Sequence, residues 1–421
     1  MLVNQRIRWV VGMVGMALCG MGMWGWFRTY DVVIDQGEVW LSHGKMANVG
    51  IGIRKGKIVE IGSGWMLARH VIDAKGWVVL PGGIDVGGRH ASVNVALQDG
   101  VTTILSLVPG VAEPALVNRD PRVMIHVGVN MRACRPSANA SMGEWAYQIG
   151  RRIESGGVAI YWDIPTDATV ARSEMVMVLA VAKRHRVPLV VGVPLIRSME
   201  QGVTLVNELG RASTASGVII ILSQWLHQSH IFHPQLRTLI NRFPQLRWTF
   251  NPYTADTRVY DFDTYERLNH LGIRMVEYET GEVTWAPIAK AILFLTSQRQ
   301  IQQAILDPKA CMGRYAAGGG HPAEVASYTR LIRRWVMDGN WVTWVEGIQC
   351  MSERPVKWWG GVIPSLLNKG RIAVGYDADL VMIDLDEIED WATYQLPDMP
   401  NQGVKMVIRG GWVVWPPSPP H

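Results

Sequence analysis

Histidines, acids and cysteines are the side chains able to hold a metal or move a proton, and their spacing decides which chemistry is open to this chain. Three histidines stand in HQSHIFH, at His227, His230 and His233. A spacing of three puts them on one helical face, which a surface metal site would need. Solvated or capping histidines are the simpler reading of such text, because ligand spacing alone rarely makes a site. His126 lies inside an apolar run, RVMIHVG, and reads as a hydrogen-bonded core histidine. His321 follows Gly318–Gly320 and reads as structural. That glycine run lacks the Lys-Ser/Thr or G-x-G-x-x-G frame of a phosphate loop, so a flexible loop is expected. Asp163 and Asp307 have no evident partner and read as surface or loop acids. The cysteines, Cys19, Cys134, Cys311 and Cys350, form no C-x-x-C pair, so neither a zinc ribbon nor a disulfide framework is expected.

Positioning such groups falls to a scaffold that the apolar runs outline. A chain of 421 residues with 48% apolar composition can bury a large core. Its formal charge of +5 is spread along the sequence without a Lys/Arg run, so no nucleic-acid partner is expected. Short β-type runs at 31–34, 38–41, 49–53, 57–61 and 77–80, broken by turn residues, predict a small antiparallel unit. From about Gly82 to Gly319 apolar strand runs alternate with helical stretches. The strand candidates are 101–107, 122–128, 157–162, 188–193, 218–222 and 246–250, and Ser173–His185 is a clear helical stretch. About eight such units imply a parallel (β/α)8 barrel of the TIM type. Beyond Lys369 short strands return, at 380–383, 404–409 and 412–414. The expected architecture is therefore α/β: a barrel over 82–369, a small β-sandwich built from both chain ends (29–81 and 370–416), and a proline-rich tail at 417–421.

The first 28 residues differ. Trp9 to Phe27 carries no charge over nineteen residues, close to the ~20 that span a bilayer as a helix. Arg6 and Arg8 precede it, and Trp24 and Trp26 stand at its far end. The expectation is a retained single-pass anchor with the N-terminus cytoplasmic and the main domain periplasmic or otherwise extracytoplasmic. Bulky residues at its end argue against a cleaved signal peptide. Gly12, Gly15, Cys19 and Gly22 line one face, where another membrane helix would pack closely. The bilayer and other membrane-protein subunits are the partners this implies. Nineteen tryptophans point the same way, toward membrane boundaries and interfaces.

The text from Tyr30 to Asp85, ending VVLPGGID, resembles the start of the amidohydrolase superfamily, and is most similar to its N-acyl-D-amino-acid deacylase branch. LQDGVTTILSL, GGGHPAEVASYTRLIRRWV and NKGRIAVGYDADLVMIDLDEI resemble later parts of that branch. The resemblance spans roughly residues 30 to 415 and is strongest at both ends. It implies a metal-dependent hydrolase barrel with a sandwich, cleaving N-acylated D-amino acids by zinc-activated water.

The family's metal ligands, carried over by that resemblance, are not matched here. Its first strand ends I-D-x-H-x-H; this chain reads IDVGGRH, with Gly87 and Arg89 at the histidine positions. Glycine offers no ligand and arginine is a permanent cation. His90 falls one place late, and Asp85 is left to order the strand end. Ser106 stands for the acid or thiolate after strand two, Gly192 for the histidine of strand five, Ser223 for that of strand six, and Tyr315 for the catalytic acid of strand eight. The expectation is no cofactor. It follows that the chain is an inactive, membrane-anchored pseudoenzyme, an accessory or structural subunit of a larger membrane assembly of the respiratory or photosynthetic kind. One alternative is a metal-free binder or enzyme that uses the old barrel mouth, with Arg89 holding an anion beside Ser106, Ser223 and Tyr315. The other is a metal-dependent deacylase with relocated ligands.

Overall fold

The structure is a computed structural model describing residues 7–8, 29–41, 44–87, 93–107, 121–194, 196, 198–223, 225–229, 233–261, 275–277, 288–294, 296–313 and 321–416. Two sheets made of alternating apolar strands pack face to face beside a barrel. The five-stranded sheet runs in the order Ile7–Arg8, Ala68–Asp73, Tyr30–Asp35, Gly50–Arg54, Lys57–Gly62. The six-stranded sheet draws on both chain ends: Trp412–Trp415, Val404–Arg409, Leu380–Ile383, Val78–Pro81, Glu38–Leu41, Lys45–Asn48.

Successive strand side chains point to opposite faces, and here both faces find an apolar partner. Leu380 and Met382 share a core with Ile34, Ile51, Ile53 and Ile72 of the other sheet. Val381 and Ile383, one residue out of phase, join the core that wraps the barrel. The sandwich is therefore fixed to the barrel along a dry face.

Eight parallel strands form the barrel: Gly83–Val86, Val101–Ser106, Met124–Val127 continued by Val129–Asn130, Ile160–Asp163, Leu189–Gly192, Ile220–Ser223, Leu246–Phe250 and Ala310–Met312. At Gly128 the third strand changes partner, pairing first with strand two and then with strand four. Strand eight pairs with strand seven and adjoins strand one. Inward residues Leu105, Tyr161, Val190, Ile221 and Cys311 fill the interior together with Val86, Trp359, Ile363 and Leu366. Helices cover the outside. One spans Ala168–His185, starting ahead of the apolar pattern because the Asp167 side chain accepts from the Thr169 and Val170 N–H groups. Between strands seven and eight lies an antiparallel trio, Ala255–Asp261, Met275–Glu277 and Ile288–Phe294, that the apolar pattern did not announce.

The membrane expectation is corrected first. No helix among the described residues is long and apolar enough to cross a membrane. Ile7 and Arg8, expected on the cytoplasmic flank of an anchor, pair antiparallel with Ile72 and Val71 at the sandwich edge. Hydropathy, with the flanking arginines and tryptophans, suggested the single-pass, extracytoplasmic arrangement; no described helix provides such a span, and residues 9–28 lie outside the described ones. Gly12, Gly15, Cys19 and Gly22 lie outside the described residues, as does the tail. Tryptophan serves both interior and surface: Trp145, Trp162, Trp225, Trp248 and Trp359 are among the largest fully buried side chains, while Trp65, Trp391 and Trp412 are exposed. HQSHIFH falls across two described helices, Trp225–Ser229 and His233–Ile240, and residues 230–232 between them lie outside the described ones.

Candidate functional site

Barrels of this kind carry their sites where the strands end, because the connecting loops there can vary while the strands stay fixed. Three of those ends are well placed to compare. Asp163 closes strand four in register with Gly192 of strand five, and Gly192 is in register with Ser223 of strand six. Tyr161, Val190 and Ile221 belong to the inner core, so alternation turns Asp163, Gly192 and Ser223 toward the same interior one layer higher.

The space above Gly192 is taken. A Cβ built there would lie 2.1 Å from Asp163 Oδ1 and 2.5 Å from the Tyr161 hydroxyl oxygen. The Tyr161 hydroxyl donates to Asp163 Oδ1 at 3.0 Å, fixing the carboxylate in that position. Asp163, read from the sequence as a loop acid, is therefore the carboxylate of the mouth. Gly87 follows strand one with φ of 114°, a conformation that side-chain-bearing residues rarely adopt, while its N–H donates to Leu105 O at 2.8 Å. Ser106, at the end of strand two, follows the inward Leu105 and pairs with Val127 of the outer core, so it is turned away from the mouth; it is buried, and its hydroxyl has no partner among the described residues. Asn251, buried just after strand seven, accepts from the Tyr253 N–H, while its Nδ2 has no partner among the described residues. Ser223 is also buried. Arg89 and Tyr315 lie outside the described residues. Among the described residues the mouth thus combines one carboxylate, Asp163, with the neutral groups of Ser223 and Asn251. Among the described residues, no three His, Cys, Asp or Glu side chains are grouped so as to hold a metal ion.

Other candidates have structural work. His321 caps the turn Pro322–Glu324 by accepting the Ala323 N–H, and its ring meets Tyr253 and Tyr394 edge-on. Asp307 is buried rather than superficial, taking a 2.6 Å bond from Arg237 Nε and another from the Lys309 N–H. Asp99, which drew no attention in the sequence, accepts from a whole helix start and is taken up in the Discussion. Cys134, Cys311 and Cys350 are free thiols. The side chains of His227, His230 and His233 are not among those described.

His126 is largely buried, but its Nε2 finds no hydrogen-bond partner among the described residues, contrary to the sequence expectation. Burial, then the Lys369 and Arg409 cations, lower its pKa from 6.5 to about 4. The unfolded chain therefore takes up the proton first. Stability is full above pH 6.5 and falls as the pH drops to about 4, by about 3 kcal/mol in all. Urea midpoints of the parent and of His126→Leu, compared at pH 7 and pH 4.5, should show a much smaller acid loss in the variant. Equal losses would show that other groups set the acid limit.

This is the amidohydrolase fold, a barrel with a sandwich joined to it. Within that fold the chain is related to the N-acyl-D-amino-acid deacylases. N-acyl-D-glutamate deacylase of Alcaligenes xylosoxydans xylosoxydans is 30% identical over 136 residues, 31% of this chain and 27% of the relative. N-acyl-D-aspartate deacylase of the same organism is 27% identical over 130 residues, 30% and 25% of the two chains. The chain thus matches about a quarter of the length of these curated relatives. No protein-family model matches it. Among solved structures, N-acyl-D-glutamate deacylase from Bordetella bronchiseptica, complexed with zinc and a phosphonate inhibitor, superposes with a TM-score of 0.71 at 20% identity. That match covers 93% of this chain and 98% of the other. A D-aminoacylase gives 0.69 at 17% identity over 92% and 96%, and a D-hydantoinase 0.61 at 17% over 90% and 94%.

All of these relatives are enzymes. They overturn the expectation of an inactive pseudoenzyme serving as accessory subunit of a respiratory or photosynthetic membrane complex, an inference that rested on the substituted ligand positions together with the expected anchor and the tryptophan content.

Proposed function

We propose that the barrel mouth binds and cleaves a small amide of the N-acyl-amino-acid kind, and that it does so without the family's metal. The observation that carries this is the carboxylate of Asp163 in the space a strand-five ligand would need. The group fits poorly at the family's positions. Gly87 and Gly192 supply no donor atom, and Ser106 and Ser223 supply neutral hydroxyls, whereas a catalytic zinc takes about three His or carboxylate ligands.

What remains suits hydrogen bonding to an amide. Asn251 Nδ2 is a buried donor whose desolvation is unrelieved within the described residues, and such a group is stabilised by a ligand acceptor. Asp163, held by Tyr161, is placed to take a proton from an attacking water as general base. The sequence relationship to deacylases of acidic N-acyl-D-amino acids makes N-acetyl-D-glutamate the first compound to test.

Calorimetric titration with N-acetyl-D-glutamate, beside elemental analysis of the purified protein, tests this. Binding should persist in EDTA, zinc should be far below one per chain, and Asp163→Asn should cut turnover by about 10²-fold or more. A second reading is supported by the same carboxylate: a metallohydrolase in which Asp163 replaces the strand-five histidine from the neighbouring strand. One zinc per chain, with turnover lost in EDTA, would establish that reading in place of the first.

A further inference from the structure

The barrel has a second lined cavity, at the end opposite the mouth. It opens among the residues that lead into strands five to eight, and encloses about 430 Å³. Small-molecule pockets span about 300–1,000 Å³. Pro188, Ile219 and Pro308 give it apolar walls, while Arg247, Lys309 and Lys357 line it with positive charge. No carboxylate lines it among the described residues.

Three cations converging without an acid need an explanation, since like charges repel and buried ones are ordinarily paired. Lys309 Nζ donates to the carbonyls of Ile240 at 3.1 Å and Phe243 at 2.9 Å, and Arg247 Nη1 donates to that of Leu246 at 3.0 Å. Those carbonyls orient the cations, and Asp307, outside the lining, offsets only part of the charge by favouring the charged form of Lys309. Burial, and then the charge of Arg247, lower the pKa of Lys309; burial also lowers that of Arg247. The Arg247 guanidinium lies 5.8 Å from the Trp358 ring, which stiffens it against the wall. A further donor completes the set. Trp359, 1% exposed and lining the same cavity, has an indole N–H with no partner among the described residues. A buried N–H in that state costs free energy unless an acceptor arrives.

We propose that this floor cavity binds a small molecule bearing a phosphate group. A phosphate carries about −1.5 to −2 charges with three acceptor oxygens, which matches three cations and an indole N–H better than a single carboxylate does. Its remaining, apolar portion lies along the proline and isoleucine wall. The site stands apart from the mouth and does not depend on what happens there.

Equilibrium dialysis of the full-length chain against labelled orthophosphate and phenyl phosphate at low ionic strength tests the assignment. Saturable binding of one molecule per chain is expected, tighter for phenyl phosphate. Lys357→Ala, an exposed position that folding tolerates, should weaken it about tenfold, as loss of one charge-assisted contact would. Trp359→Phe should weaken it too. Lys55→Ala, in the separate cationic cleft between sandwich and barrel, should change nothing, and neither should Asp163→Asn. Non-saturating uptake, or affinity unchanged in Lys357→Ala, would overturn the proposal. Benzoate binding as tightly as phenyl phosphate would overturn its choice of phosphate.

Discussion

Replacing Asp99 with alanine is expected to destabilise the chain by about 4 kcal/mol or more, measured by urea unfolding. The carboxylate is 2% exposed and collects the N–H groups of Ser327 (3.0 Å), Tyr328 (3.0 Å) and Thr329 (2.9 Å). The Thr329 hydroxyl and Asn401 Nδ2 donate to it as well. Those N–H groups open the helical segment that begins at Tyr328, where backbone donors have no partner inside the helix. Alanine would strand several buried donors at once, each costing about 1–3 kcal/mol. Asp99→Asn, which keeps one acceptor oxygen, should lose roughly half as much. A loss under about 1 kcal/mol for the alanine variant would mean that water replaces the carboxylate without penalty.

Lys369→Met should cost about 3–5 kcal/mol, because it leaves Asp379 buried without its cation, while Asp377 keeps Lys57. Lys369, 5% exposed, bridges Asp379 Oδ2 at 2.5 Å and Asp377 Oδ2 at 2.9 Å. Asp379 also accepts from the Gly410 N–H at 2.8 Å, so the cluster ties the end of the barrel segment to the last sandwich hairpin. Adding Asp379→Asn to Lys369→Met should recover part of the loss. Strict additivity of the two changes would show that the pair does not interact.

Those two clusters explain what the sequence resemblance consists of. Asp99 lies in LQDGVTT, its helix partners in HPAEVASYTR, and Lys369, Asp377 and Asp379 in NKGRIAVGYDADL. The family-like text is therefore scaffold text, in which buried charges hold distant segments together. The barrel and the sandwich were legible for that reason, and because apolar runs broken by turn residues mark strands directly. The site was not legible in the same way. That Asp163 fills the place above Gly192 depends on the register between strands four and five, which no local spacing encodes. The membrane expectation was read from the composition of one window, and no helix among the described residues is long and apolar enough to match it. Arg247, Lys309 and Lys357 are each ordinary in the sequence, and only closure of the barrel makes them neighbours.

The six-stranded sheet has a consequence for how the chain is made. Val78–Pro81 pairs on one side with Glu38–Leu41, available early, and on the other with Leu380–Ile383. Roughly 300 residues must be translated in between, about 15–60 s on a ribosome adding 5–20 residues per second. Throughout that interval a nascent chain exposes a hydrophobic strand edge able to pair wrongly with its neighbours. Yield of the native protein should accordingly depend on whatever shields that edge during synthesis, far more than on the final stability of the sheet.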